Sequence, residues 1–147
     1  MVGLEKSIGA IIKFRNKGTP GETYSKDPSE FLLLKNRRGF WGFPQGHKEK
    51  DESEIQTLIR EVSEETGITS LEVRSYIGKI RYSYLRSDGM KAEKEVSFYF
   101  ALTPSKNVVI SYEHYEFRWV HYSDVLFMLH HEQLKIIMLK GHRKGLY

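Results

Sequence analysis

The sequence predicts a single α/β sandwich, and three observations carry that prediction. Apolar runs short enough for strands occur at residues 7–14 and 30–35, and longer strand-like segments follow at 71–85 and 95–102. A strongly amphipathic segment at 51–66 has the 3.6-residue period of a helix and lies between the two groups. Strands and helices intermixed in this order pack as layers around one sheet. The chain has 147 residues and shows no internal repeat, low-complexity tract or Pro/Ser-rich linker, so one domain over residues 1–147 is expected.

Each element has its own signal. The first two strands are separated by Asn16-Lys-Gly-Thr-Pro-Gly-Glu22, whose Gly and Pro supply turn conformations. A second turn, Asn36-Arg-Arg-Gly39, leads into Phe40-Trp-Gly-Phe-Pro44. In the helix, Asp51 followed by Glu54 has the form of a capping box, and Gly67 falls where a left-handed C-cap belongs. Ile55, Leu58, Ile59 and Val62 keep the spacing of a buried stripe. Arg86-Ser-Asp-Gly89 joins the strands at 71–85 and 95–102, and residues 117–120 read as a further strand. Residues 123–131 and 132–140 read as helical, as two helices or one bent helix.

Composition excludes several classes. With no cysteine there is neither a disulfide framework nor a thiolate metal site. No apolar run approaches the length of a membrane span, and no signal peptide is visible, so a cytoplasmic location is expected. The net charge is +4, yet seven of the 19 acidic residues lie between Glu49 and Glu65. An acidic pocket in a basic body suits a polyphosphate that arrives with a divalent metal, although a solvated mixed-charge surface has the same signature.

The acidic residues have an arrangement of their own. On a helical wheel, Glu61, Glu64 and Glu65 fall within about 100° of one another, beside the apolar stripe. Like charges this close repel unless a cation lies between them. Hard oxygen donors suit Mg²⁺ or Mn²⁺, and the sharp turn expected at Pro44-Gln-Gly46 offers a backbone carbonyl. Arg60 is expected to point away from the three carboxylates and to anchor Glu52 or a neighbouring loop.

Gly46, Glu52, Arg60, Glu61, Val62, Glu64, Glu65, Gly67 and Ile68 meet every position of the signature Gly-x5-Glu-x7-Arg-Glu-apolar-x-Glu-Glu-x-Gly-apolar. A chance match per start site is on the order of one in a billion at average residue frequencies. The segment thus resembles the box of the Nudix hydrolases. That resemblance implies a three-layer α/β/α sandwich over a mixed sheet and hydrolysis of a nucleoside diphosphate linked to another group. It also implies that Glu61, Glu64, Glu65 and the Gly46 carbonyl ligate Mg²⁺ or Mn²⁺. Glu52 and Arg60 would form a structural pair, and Glu61 is a candidate base.

Flanking segments bear on the substrate. Trp41-Gly-Phe-Pro-Gln-Gly-His47 and Glu113-His-Tyr-Glu-Phe-Arg-Trp119 resemble segments of asymmetrical diadenosine tetraphosphate hydrolases. This resemblance implies cleavage to ATP and AMP, with Glu64 and Glu113 joining Glu61 as catalytic carboxylates. His47 and Lys79 would lie near phosphates, and Tyr82 or Tyr84 would stack on a base while the other packs in the core. Arg15, Lys35, Arg81 and Lys94 are further phosphate contacts on this reading. Lys144 stands where relatives place a base-stacking aromatic, with Tyr147 close by. Gln45 departs from that pattern, and its context resembles both bacterial RNA 5′-pyrophosphohydrolases and plant dinucleoside tetraphosphatases, so an RNA 5′ end and nucleoside triphosphates stay open as substrates. Monomer and homodimer are both compatible with the sequence.

Overall fold

The computed structural model describes residues 3–15 and 29–147. The segment read as a loop at 16–22 lies outside the described residues. Seven strands form one mixed sheet: β1 (Leu4–Phe14), β2 (Glu30–Asn36), β3 (Trp41–Gly42), β4 (Gln45–His47), β5 (Glu72–Leu85), β6 (Lys91–Thr103) and β7 (His114–His121). The strand order is β3-β2-β1-β6-β5, with β4 paired to β1 and β7 to β2. Among the described strands β1 and β6 are the parallel pair, in continuous register from Leu4↔Glu93 to Phe14↔Thr103. Three helices complete the chain: α1 (Glu54–Thr66), α2 (Tyr122–Met128) and α3 (Glu132–Arg143).

The sheet is covered on both faces, which explains the unbroken apolar runs of β1 and β2. On one face Ile8, Ala10, Ile12, Leu32 and Leu34 pack against Leu58 and Val62 of α1. On the other, Ile11, Phe31, Leu33, Phe98 and Phe100 meet Val125 of α2 and Ile137 and Met138 of α3. The result is the expected α/β/α sandwich. Among the described residues no helix is long and apolar enough to cross a membrane.

Helix α1 begins later than the sequence suggests. Its N-cap is Ser53, whose hydroxyl accepts from the Gln56 amide at 3.1 Å while the Gln56 side chain accepts from the Ser53 amide at 2.9 Å. That reciprocal pair outcompetes Asp51 because the chain from Glu49 to Glu52 first closes a turn of its own, with the Glu52 amide donating to the Glu49 carbonyl at 3.1 Å. The C-cap is as expected, with Gly67 left-handed at φ 74°. The buried face also differs: Ile55 and Ile59 are exposed, and Thr57, Leu58, Val62, Glu65 and Thr66 are buried. The helix is rolled so that Glu65 turns inward, where backbone donors can reach it.

The expected turn at 44–46 is instead strand β4, antiparallel to β1 with Gly46 opposite Ile8. The C-terminal segment is two helices, not one bent helix. Leu129, 2% exposed, is extended and bridges to Trp41, which breaks the helical path before α3.

The cap assignment is testable. Ser53→Ala is expected to lower unfolding stability by about 1 kcal/mol, and Asp51→Ala by much less. Urea midpoints of the two variants measure the difference.

Candidate metal centre

The site is built where α1 crosses the end of β4. The Arg60 guanidinium organises it. Its Nε and Nη2 donate to the two oxygens of Glu52 at 2.7 and 2.9 Å, a bidentate pair. Nη2 also donates to the His47 carbonyl at 2.9 Å, and Nη1 donates to Glu61 at 2.8 Å and Glu64 at 3.3 Å. The expectation that Arg60 points away from the box carboxylates is therefore corrected. Its side chain lies along the helix, and Nη1 relieves the repulsion between Glu61 and Glu64. Glu52 also accepts from the Thr57 hydroxyl and the Glu49 amide. The hydrogen bond from Arg60, helped by these donors against the effect of burial, holds the Glu52 carboxyl down at about 2.

Gly46 is required by a close approach. A Cβ there would overlap the Glu61 carboxyl group, so a side chain at 46 would displace that carboxylate from its place on β4. Glu65 is 5% exposed and accepts from the Gln45 amide at 3.2 Å. Burial pushes its carboxyl up to about 8, opposed by the Gln45 hydrogen bond and reinforced by Glu61 and Glu113. Burial also raises Glu61, against the pull of Arg60. Glu64, at the rim, is mostly exposed.

A second wall faces Glu65. The Ser111 amide donates to the Glu65 carbonyl at 3.2 Å, and the Val109 amide to the Thr66 carbonyl at 2.9 Å, so this strap is tied to the end of α1. It delivers Glu113 and His114, and one ligand atom from each of Glu65, Glu113 and His114 lies within 4.8 Å of the others. This donor set fits a divalent cation: a buried carboxylate whose charged form burial disfavours gains most from one. His114 is half-buried, and burial lowers its imidazole while Glu113 opposes the shift. The sequence reading passed over His114 as a ligand; its place directly after Glu113 was the available signal.

The remaining nominated residues are spread around this centre. His47 is exposed, with Nε2 4.0 Å from Glu5. Tyr84 donates to Glu5 at 2.5 Å, and Tyr82 is half-buried against the α2–α3 side of the core, its ring 5.3 Å from that of His131. Lys94 stands opposite Glu5 and Tyr82 in the sheet; burial lowers its ammonium, and Glu5, Glu65 and Glu61 draw it back up. Glu5 was missed, since a lone carboxylate in a first strand carries no motif. Lys79 and Arg81 both pair with Glu95 at 3.3 Å, and Lys35 lies over the rings of Trp41 and Tyr115.

Two expectations are corrected at the periphery, and Lys144 finds a partner in the core. Arg15 is six residues along the strand direction from Gly9, which pairs with Gln45, so it stands roughly 20 Å from the centre. Tyr147 is half-buried against the core, packed on Phe31 and Phe100 with its hydroxyl donating to the Met138 carbonyl. Lys144 donates to the Ile77 carbonyl at 2.7 Å.

The Glu52 carboxyl is depressed from 4.5 to about 2, so it favours the folded state above pH 4.5 and loses that contribution as pH falls toward 2. Glu52→Gln is expected to flatten this acid limb of the stability curve. Denaturant midpoints between pH 2 and 7 for parent and variant check it.

Comparison with known proteins agrees with the geometry. The family model of the NUDIX domain matches residues 19–139. The bis(5′-nucleosyl)-tetraphosphatase [asymmetrical] of Rattus norvegicus is 31% identical over 118 residues, 78% of this chain and 79% of the relative. Among solved structures, a C. elegans Ap4A hydrolase binary complex superposes with TM-score 0.70 at 23% identity, covering 97% of this chain and 98% of that one. The E. coli dihydroneopterin triphosphate pyrophosphohydrolase superposes equally well, TM-score 0.70 at 19% identity, covering 90% and 91%. The complete box, its Arg60 network and the matched span together make this chain a member of the NUDIX family, a Nudix pyrophosphohydrolase.

Proposed function

We propose that the chain hydrolyses diadenosine tetraphosphate asymmetrically. Water attacks a phosphorus away from the centre of the bridge, one P–O bond breaks, and ATP and AMP leave. The observation that carries this reading is the approach of the box carboxylates to Lys94, whose strand neighbours are Glu5 and Tyr82, with Tyr84 bonded to Glu5, in a chain resembling the rat tetraphosphatase along most of its length. Glu61, Glu64, Glu65 and the Gly46 carbonyl would hold Mg²⁺, or Mn²⁺, with Glu113 from the facing strap. Bound there, the ion neutralises phosphate charge and acidifies water.

The chain's own residues do the rest. Lys94 meets the polyphosphate, with His47 and Lys79 further out, and Tyr82 or Tyr84 stacks on a base. The proton leaving the attacking water passes to one of Glu61, Glu64 and Glu113, which single exchanges to Gln distinguish. Arg60 and Glu52 act by position, fixing α1 against His47. The reading holds for a monomer or a homodimer.

A second reading is supported by one surface. Lys35, Arg37 and Arg118 lie within 6.0 Å of the rings of Trp41 or Tyr115, and Arg37 Nε donates to the Tyr112 carbonyl beside Glu113. Aromatic rings among cations suit single-stranded nucleic acid, so an RNA 5′ end is the alternative substrate.

Incubation with Mg²⁺ and diadenosine tetraphosphate, with triphosphorylated RNA and nucleoside triphosphates in parallel, separates the two. Equal ATP and AMP formed fastest is the expected result. Faster, steeply salt-dependent pyrophosphate release from RNA moves the substrate to RNA. Glu65→Gln is expected to abolish turnover with the fold intact by circular dichroism. Activity within about tenfold of the parent removes Glu65 from the reaction.

A further inference from the structure

We propose that His114 is a nitrogen ligand of the metal centre, and that through it the centre takes Mn²⁺, Co²⁺ or Zn²⁺ in preference to Mg²⁺. This rests on the reading above that Glu65 and Glu113 hold the metal. His114 is the first residue of β7, and its amide donates to the Ser111 carbonyl at 3.1 Å, which closes the turn carrying Glu113. The imidazole is thereby aimed from the strap toward the end of α1. One nitrogen lies with a Glu65 oxygen and a Glu113 oxygen inside a span of 4.8 Å. Donors bound to one ion at roughly 2.0–2.2 Å sit about 3 Å apart when adjacent and about 4 Å apart when opposite. The three groups therefore need only a small contraction to share an ion.

A second observation points the same way. His114 Nδ1 is buried and has no hydrogen-bond partner among the described residues. Buried polar atoms of folded proteins are nearly always partnered, and the ring that carries this one sets a nitrogen among two carboxylates, so a cation is a fitting partner for the imidazole. Carboxylates attract a cation, whereas an imidazole nitrogen accepts a metal as readily as a proton. The ligand type then sets the metal class. Oxygen donors alone suit Mg²⁺, which keeps several waters in near-ideal octahedral geometry. One imidazole shifts the balance toward first-row transition ions.

Mn²⁺ alone is the probe, read by pulsed electron paramagnetic resonance on the full chain. The expected result is ¹⁴N modulation from bound Mn²⁺ in the parent protein, replaced by the ¹⁵N signature when the protein is made with ¹⁵N-histidine. The modulation persists in His47→Gln and vanishes in His114→Gln. His114→Gln is also expected to weaken Mn²⁺ binding about tenfold or more while Mg²⁺ binding changes less than about twofold. Bound Mn²⁺ with no histidine ¹⁴N coupling in the parent, or coupling that survives His114→Gln, overturns the inference. If Glu65→Gln still abolishes Mn²⁺ binding in that case, the proposed function stands. Mn²⁺ binding indifferent to Glu65→Gln overturns both.

Discussion

The fork of Arg60 is the constraint on which the rest of the site depends. Five hydrogen bonds from one guanidinium join the entry loop at Glu52, the end of β4 at His47, and two carboxylates of the helix. Arginine suits this task because its charge is permanent and its planar donors match a carboxylate in two places at once. Glu52 and Arg60 each draw the other further into its charged form. A lysine would supply the charge without the geometry, and helix and strand would lose their common reference.

Around that fixed point the fold brings charge inward. Glu65 is carried on the face of α1 that also holds Leu58 and Val62, a position ordinarily given to an apolar side chain. Its single backbone donor, the Gln45 amide, compensates only part of the burial, and the carboxyl is pushed up to about 8. Such a group is a poor choice for stability and a good one for holding a cation, the pattern expected where function has displaced packing. Gly46 makes the same point with space, since only a residue without Cβ allows the Glu61 carboxyl to rest on the strand.

The layered fold was legible because apolar periodicity is local. The runs of β1 and β2 announce strands covered on both sides, and Gly67 announces where α1 stops. Sequence reading failed where tertiary geometry decides. Asp51 and Ser53 are both good caps, and the turn at Glu49–Glu52 selected the second. Ile55 and Ile59 fit the helical stripe, yet the roll of α1 follows the carboxylate that must reach Gln45. Tyr147 looked like surface chemistry and packs against the core, because the last residues fold back over Gly141, where a Cβ would strike its ring. The box was readable as a line of residues; its partner wall, Glu113 with His114, was half-readable. Glu5 and the burial of Lys94 emerge only when β1, β5 and β6 are laid side by side.

The proposed chemistry turns on one divalent cation held between the box helix and the strap. An anomalous difference map from a crystal of the full chain grown with Mn²⁺ tests it most directly. A cation held there gives a peak between Glu65 and Glu113, at roughly 2.0–2.2 Å from their carboxylate oxygens and from the Gly46 carbonyl. Peaks confined to the exposed rim at Glu64, with Glu65 and Glu113 uncoordinated, would contradict it.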